Sequence, residues 1–125
     1  MKGATFDSGA LIAFERNDRA VVAVVARACE AGDLLAVPAG VVAQVWRDGR
    51  RQARLAKLLR SSCIKVIPLD DEQARAVGQL CGVSGTEDIV DASVAFCARQ
   101  KGQTVLTSDA EDIRRIDPTL NVIPI

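Results

Sequence analysis

The sequence predicts one α/β domain, residues 1–125, in which helices cover both faces of a mainly parallel sheet. Short apolar, β-like runs alternate along the chain with longer segments of helical periodicity. The connections between them are short, and no break in composition divides the chain. A length of 125 residues suits one domain with its own core, and 49% apolar residues are too many for a disordered chain.

The predicted strands are short runs that end at a turn signal or an acidic residue. They cover residues 4–6, 34–37, 64–67, 104–106 and 121–123. The predicted helices are longer and several are closed by glycine. They cover residues 11–15, 20–31, 41–47, 52–60, 71–80, 84–101 and 110–116.

The helix over 84–101 carries the most informative start signal. Ser84 and Glu87 fit a capping box, with Thr86 as a rival N-cap. Dense apolar residues then predict a largely buried helix that stops at Gly102. Residues 82–85 are predicted to form a loop that includes the Ser84 cap.

Composition excludes several classes of function. Sixteen basic and sixteen acidic residues cancel, so the protein does not hold nucleic acid by bulk positive charge. One local basic segment stands out, although a solvated helix face explains it equally well. Its members are Arg47, Arg50, Arg51, Arg54, Lys57 and Arg60. The chain has no histidine, which removes histidine-based acid–base chemistry, catalytic triads and histidine-bound metals.

The cysteines and the apolar runs bear on the compartment. Cys29, Cys63, Cys81 and Cys97 form no CxxC pair and lie in apolar surroundings, so we expect four buried thiols and no zinc site. No apolar run reaches the ~18 residues of a membrane-spanning helix, and the N-terminus lacks a secretory pattern. We therefore expect a soluble, cytoplasmic protein that does not contact a membrane.

Four aspartates mark the predicted site. Asp7 directly follows the first strand and Asp109 follows the fourth, so both are expected at the carboxyl edge of the sheet, where such folds bind ligands. Asp88 and Asp91 are three residues apart near a helix start, which faces the same edge. Asp7 is equally well placed to cap the helix that follows it.

Carboxylates that converge in this way need a counter-charge. Mg²⁺ or Mn²⁺ supplies it, because both prefer oxygen ligands and keep several waters. An acidic pocket without histidine suits metal-assisted hydrolysis of phosphodiesters.

The sequence resembles PIN domains, specifically the VapC-type ribonuclease toxins of bacterial toxin–antitoxin pairs, over essentially its whole length. The segments that carry the resemblance are FDSGALIAF at 6–14, AQVWRDG at 43–49, TEDIVDASVA at 86–95 and VLTSDAEDI at 105–113. The resemblance implies an α/β/α sandwich that cleaves RNA endonucleolytically with Mg²⁺. It also implies a homodimer that is neutralised by a VapB-like antitoxin.

The same resemblance assigns the site. Asp7, Asp88 and Asp109 are expected to be catalytic, and these three together with Asp91 to bind the metal. Whether Asp88 or Asp91 is the principal ligand stays open, and Asp112 is expected in the outer shell.

One position departs from the family pattern. Gln44 stands where the helix after the second strand usually carries a glutamate, and an amide brings no charge. Glu15 and Asp48 are nearby acids, but neither has a matching position. The alternative function is therefore a degenerate PIN domain that binds a partner or RNA without cutting it.

Two other classes begin similarly and fit less well. A HAD-type phosphatase requires a second aspartate two residues after the first, where this chain has Gly9. A response-regulator receiver requires an aspartate after the third strand, where this chain has Pro68.

Overall fold

The sheet is the frame of the protein. A computed structural model describes residues 3–125, and in them five strands pair in the order β3-β2-β1-β4-β5. The strands are β1 (Ala4–Phe6), β2 (Leu35–Pro38), β3 (Ile64–Ile67), β4 (Thr104–Thr107) and β5 (Val122–Pro124). Each of the four pairings is parallel. The predicted parallel α/β architecture is confirmed.

Seven helices of the described chain complete the three layers. They are α1 (Ser8–Glu15), α2 (Arg19–Ala31), α3 (Ala39–Val45), α4 (Ala53–Arg60), α5 (Asp71–Ser84), α6 (Ile89–Lys101) and α7 (Ala110–Ile116). Right-handed crossovers put α1 to α4 on one face of the sheet and α5 to α7 on the other. The contacts agree, since α1 packs on α2, α3 and α4, whereas α6 packs on α5 and α7.

The core lies on both sides of the central strands. Every residue of β1 and β2 is buried, as is each of Val105, Leu106 and Thr107 in β4. Phe6 and Leu106 are among the largest fully buried side chains. Burying one such side chain contributes roughly 1.5–3 kcal/mol. The central strands are therefore a rigid support for the residues that follow their carboxyl ends.

The direction in which the chain adds strands to the sheet changes between β1 and β4. From β1 the chain proceeds to β2 and β3 on one side, and it returns to add β4 and β5 on the other. In an open parallel sheet this switch point opens a crevice at the carboxyl ends of the two strands. Gly9 lets α1 approach closely there, because a Cβ at this residue would lie 1.9 Å from Ser108 Oγ.

The predicted start of α6 was wrong. Ser84 is the last residue of α5, and its hydroxyl donates to the Leu80 carbonyl oxygen at 2.7 Å. Gly85 ends α5 in the left-handed region (φ 79°). Asp88 is the true N-cap of α6, because its carboxylate accepts the Asp91 N–H at 2.9 Å. Asp88 therefore lies outside the helix whose face it was predicted to share with Asp91.

Other boundaries move by smaller steps. Helix α3 ends at Val45 and not at Arg47, because Trp46 already has extended backbone angles (φ −71°, ψ 129°). Strand β2 extends to Pro38. Across residues 3–125, no helix is both long enough and apolar enough to cross a bilayer.

The expectation of four buried thiols was wrong for three cysteines, because Cys29 and Cys63 are bonded to each other and Cys81 is only partly buried. Cys29, which is exposed at the end of α2, forms a disulfide with Cys63, just before β3, across a Cα–Cα distance of 5.2 Å. The crossover from α2 through β2 to β3 brings these residues together, although they are 34 positions apart. Cys81 and Cys97 are free thiols, and Cys97 is buried.

Candidate functional site

Asp7 both caps a helix and lies in the crevice. It follows β1 as the N-cap of α1, and its Oδ1 accepts the Ala10 N–H at 2.9 Å. Its Oδ2 accepts a short hydrogen bond from the Thr107 hydroxyl. The side chain is almost fully buried. Burial raises the pKa of Asp7, while the hydrogen bonds from Thr107 and Ala10 act in the opposite direction.

Thr107 connects the first and fourth strands at the site. Its hydroxyl donates to Asp7, and the same oxygen accepts the Asp109 N–H at 2.8 Å. A hydroxyl can do both, because it has one proton to donate and two lone pairs to accept with. Sequence reasoning missed this role. The only signal was the position of Thr107 at the end of the predicted strand, directly before Ser108 and Asp109.

Three carboxylates form a close group beside Asp7. One oxygen from each of Asp91, Asp109 and Asp112 lies within 4.8 Å of the others. Asp91 projects from the first turn of α6, whereas Asp109 and Asp112 stand at the start of α7. We call these three residues the acidic triad.

The acidic triad raises the proton affinity of its own members. The pKa of Asp91 rises to about 7, first because the carboxyl is partly buried and then because four other aspartates surround it. These four are Asp88, Asp109, Asp112 and Asp7. A hydrogen bond with Asp112 raises the pKa of Asp109, as two carboxyl groups that share one proton do. The site therefore concentrates negative charge.

Arg115 is the cation nearest to this charge among the ion pairs of residues 3–125. Its Nη1 lies 3.4 Å from Asp112 Oδ1, and both side chains are substantially exposed. An exposed pair of this kind contributes little. Arg115 also lines, with Asp88, Asp91 and Asp112, an open cavity of about 280 Å³ at the mouth of the site.

The four predicted metal ligands are thus placed differently. The structure brings Asp91 and Asp109 together in the acidic triad. Asp7 and Asp88 flank it, and each uses an oxygen to cap a helix. Asp112, which the sequence placed in the outer shell, lies inside the triad.

Gln44 is exposed on α3, and its Oε1 accepts a short hydrogen bond from the hydroxyl of Ser8, the residue after Asp7. The two acids considered as substitutes lie elsewhere. Glu15 is at the opposite end of α1, and Asp48 pairs with Arg51 at 3.9 Å.

The acidic triad has the chemistry of a site for a hard dication. All its donors are carboxylate oxygens, which Mg²⁺ and Mn²⁺ prefer. Two oxygens that bind one Mg²⁺ at ~2.1 Å lie at most ~4.2 Å apart. The oxygens of the acidic triad lie within 4.8 Å of one another, so small side-chain rotations would bring them to one ion. Burial and the neighbouring aspartates raise the pKa of Asp91, and a bound cation would oppose that rise. The residues therefore fit a divalent cation.

Comparisons with known proteins agree with this architecture. Residues 4–118 match the family model of the PIN domain. No curated protein matches the sequence.

Solved structures with the same fold include VapBC2, FitAB and FitAcB. VapBC2 from Rickettsia felis, bound to a DNA fragment from its promoter, is similar with a TM-score of 0.73 and 15% identity, over 98% of each chain. FitAB bound to the IR36 DNA fragment gives 0.60 and 18%, over 97% of this chain and 94% of that one. FitAcB from Neisseria gonorrhoeae gives 0.59 and 20%, over 96% of each. At these identities the likeness establishes the fold. The family match, which spans nearly the whole chain, establishes that the protein belongs to the PIN domain family.

Proposed function

We propose that this protein is an Mg²⁺-dependent endoribonuclease that acts as a VapC-type toxin, and that Mn²⁺ can replace Mg²⁺. The observation that carries the proposal is the acidic triad at the switch point of a PIN fold. Carboxylates that lie this close repel one another and destabilise the folded chain, so their presence in one crevice supports a function in binding a cation.

Each carboxylate has a role in this proposal. Asp91, Asp109 and Asp112 hold the metal, with Asp7 and Asp88 completing the ligand set directly or through water. Asp7, Asp88 and Asp109 are the proposed catalytic residues. When bound, the metal would lower the pKa of a water and stabilise negative charge on the phosphate.

The protein's own groups position this chemistry. The Thr107 hydroxyl holds the Asp7 carboxylate and the backbone of Asp109 in one arrangement. The backbone N–H groups of Ala10 and Asp91 fix the orientations of Asp7 and Asp88. Asp91 has to lose its proton when the cation enters, because only the carboxylate is a good ligand.

We propose that this chain forms a homodimer and binds a VapB-like antitoxin. The similar structures VapBC2 and FitAB are each bound to a DNA fragment. An apolar groove of about 470 Å³ between α2 and α4 offers a surface for a helix of that partner. Phe14, Val22, Val25 and Leu58 line it. The α3 segment that ends at Trp46 is the second predicted contact.

Hydrogen exchange tests the antitoxin proposal. Amides in residues 21–31 and 41–46 should gain protection when the antitoxin is added to the isolated protein. If neither segment gains protection, the partner does not bind there.

The second candidate function is that of a PIN domain that binds RNA or a partner without cutting. Gln44 favours it, because this neutral side chain stands where the PIN pattern usually has a glutamate. It also accepts a hydrogen bond from Ser8, the residue after Asp7. A site with one ligand charge fewer attracts a dication less strongly.

One experiment separates the two candidates. The purified, antitoxin-free protein is incubated with total cellular RNA in Mg²⁺ or in EDTA. We expect discrete cleavage that EDTA abolishes and that Asp109→Asn removes. Asp71→Asn is the matched control, since Asp71 is an exposed carboxylate paired with Arg75 on α5. Binding without cleavage would favour the second candidate.

A further inference from the structure

The net charge of zero conceals a strong polarisation. Residues 47–60 contain six of the sixteen basic residues and one acid, so this segment carries +5 and the remainder −5. All six cations are exposed. They are Arg47, Arg50, Arg51, Arg54, Lys57 and Arg60. Within residues 3–125 their one ion pair is the exposed Arg51–Asp48 contact. The segment therefore presents a positive surface that matches a chain of phosphates.

Trp46 stands next to this surface. Its side chain is 38% exposed, and it forms one side of a concave surface of about 350 Å³. Val42, Ala56 and Leu59 line the remainder, with Arg60. We call this concavity the Trp46 slot. An aromatic face, an apolar lining and a guanidinium are the groups that hold the unstacked bases of single-stranded RNA.

The loop that presents these groups is ordered in advance. The Gln52 Oε1 accepts the N–H groups of Arg47 and Asp48 at 2.7 and 3.0 Å, and its Nε2 donates to the Val45 carbonyl at 2.9 Å. Arg47 Nη1 donates to the Trp46 carbonyl oxygen at 2.7 Å. An ordered loop loses little entropy when a ligand binds.

Helix α3 contributes residues to the Trp46 slot and also contacts residues next to the acidic crevice. Gln44, two residues before Trp46, accepts a hydrogen bond from Ser8, which follows Asp7. Near the other end of α3, Gly40 packs against Val90, since a Cβ at this glycine would lie 3.3 Å from Val90 Cγ2. Helix α3 therefore connects the proposed metal site with the Trp46 slot.

We propose that the Trp46 slot and the exposed cations Arg50 and Arg60 bind the single-stranded RNA on which the acidic triad acts. One base stacks on Trp46, while Arg50 and Arg60 contact phosphates. The inference takes its substrate class from the proposed function, but binding is measured without cleavage.

The fluorescence of Trp46 reports whether the Trp46 slot is occupied, because the chain has one tryptophan and no tyrosine. The intact protein is titrated in EDTA with a uridine dodecamer while its fluorescence is recorded. We expect saturable quenching of Trp46. In a parallel titration of the labelled dodecamer followed by anisotropy, Trp46→Ala should raise the Kd about 5- to 100-fold. Trp46→Phe keeps an aromatic face and should retain most of the affinity. Val83→Ala, which truncates an exposed apolar side chain on α5, should change nothing.

The charged residues are tested by salt. Arg50→Gln and Arg60→Gln should each lower the slope of log K against log salt by ~0.7, the value for one lost phosphate contact on a single strand. Arg75→Gln, which removes a cation paired with Asp71 on α5, should leave the slope unchanged.

Three results would overturn the inference. The first is unchanged affinity in Trp46→Ala with a native circular dichroism spectrum. The second is an unchanged salt slope in both arginine variants. The third is a change in Trp46 fluorescence with protein concentration in the absence of RNA, which would show that a second copy covers the slot. RNA binding that depends on Trp46 without any cleavage would refute only the proposed catalytic function.

Discussion

Helices α6 and α7 pack side by side, and the carboxylates at the two ends of this pair have different surroundings. At the carboxyl edge of the sheet, Asp91 on α6 faces Asp109 and Asp112 at the start of α7. At the opposite edge, Arg99 near the end of α6 donates to Asp117, the C-cap of α7, at 3.2 Å.

The surroundings of the two ends explain their electrostatics. Asp117 is 4% exposed, yet its pKa is lowered, because hydrogen bonds from Thr119 and the charge of Arg99 outweigh its burial. Asp91 is partly buried among acids, and its pKa rises to about 7. The first arrangement satisfies a carboxylate within the chain. The second concentrates negative charge, which favours the binding of a cation.

The largest effect on cleavage is expected when an aspartate at the carboxyl edge of the sheet is replaced by asparagine, compared with the same change at Asp117. Asp91→Asn or Asp109→Asn should lower RNA cleavage at least ~100-fold, since each removes a ligand charge. Neither should unfold the metal-free protein, because a self-repelling group loses one charge. Asp117→Asn should leave cleavage intact and lower the free energy of unfolding by about 1–3 kcal/mol through weaker hydrogen bonds. Cleavage assays and urea unfolding measure both. Full activity in Asp109→Asn would rule out this site.

The next largest effect is expected from loss of the hydrogen bond between Thr107 and Asp7, which joins β4 to β1. Thr107→Val keeps the side-chain shape but leaves a buried Asp7 oxygen without its donor. We expect a loss of about 1–3 kcal/mol in unfolding free energy, together with slower cleavage. Thr107→Ser retains the hydroxyl and serves as the matched control. Equal stability of the Val and Ser variants would show that the hydrogen bond to Asp7 is unimportant.

The dependence of stability on pH should be opposite at the two ends. The folded pKa of Asp91 is raised, so its contribution in metal-free protein is fully present below pH ~4 and is lost as pH rises through about 7. The folded pKa of Asp117 is lowered, so its contribution is present above pH ~4 and is lost at lower pH.

Urea unfolding in EDTA from pH 3 to 8 measures these contributions. Asp91→Asn should flatten the curve between pH 4 and 7, and Asp117→Asn should flatten its acid limb. A curve for Asp91→Asn that parallels the wild type up to pH 7 would contradict the assignment.

The smallest effect concerns Gln44. Gln44→Glu adds a charge next to Ser8 and Asp7, and it should tighten Mn²⁺ binding several-fold and raise cleavage at low Mg²⁺. It should slightly destabilise the metal-free protein by repulsion. Calorimetric Mn²⁺ titration of both proteins decides this, since equal dissociation constants would show that Gln44 is not at the site.

The sequence was sufficient for the architecture because each strand is a short apolar run bounded by its own stop signal. Residues 4–6, 64–67 and 110–116 were predicted with the bounds that the structure shows. The prediction for the start of α6 was wrong because three residues within five positions have side chains that can act as N-caps. They are Ser84, Thr86 and Asp88. The choice depends on where Gly85 ends α5, which local preference alone does not decide.

From the sequence, the site could be predicted to lie at the carboxyl edge of the sheet, but its detailed arrangement could not. A strand followed by aspartate places Asp7 and Asp109 at the carboxyl edge, since that follows from sheet polarity. The position of Asp112 depends on the direction in which the first turn of α7 points its side chains. The bridge made by Thr107 depends on the distance between β1 and β4. The Cys29–Cys63 disulfide likewise results from the crossover and leaves no local signal.

Stabilisation by Mg²⁺ tests most directly whether the acidic triad is a cation site. Urea unfolding of the wild type, Asp91→Asn and Asp117→Asn is compared in EDTA and in Mg²⁺ at pH 7.5. At 100 times the Kd, a ligand that binds only the folded state adds about 2.7 kcal/mol. The wild type and Asp117→Asn should gain equally from Mg²⁺, whereas Asp91→Asn should gain much less. An equal gain in all three proteins, or none in the wild type, would contradict the account.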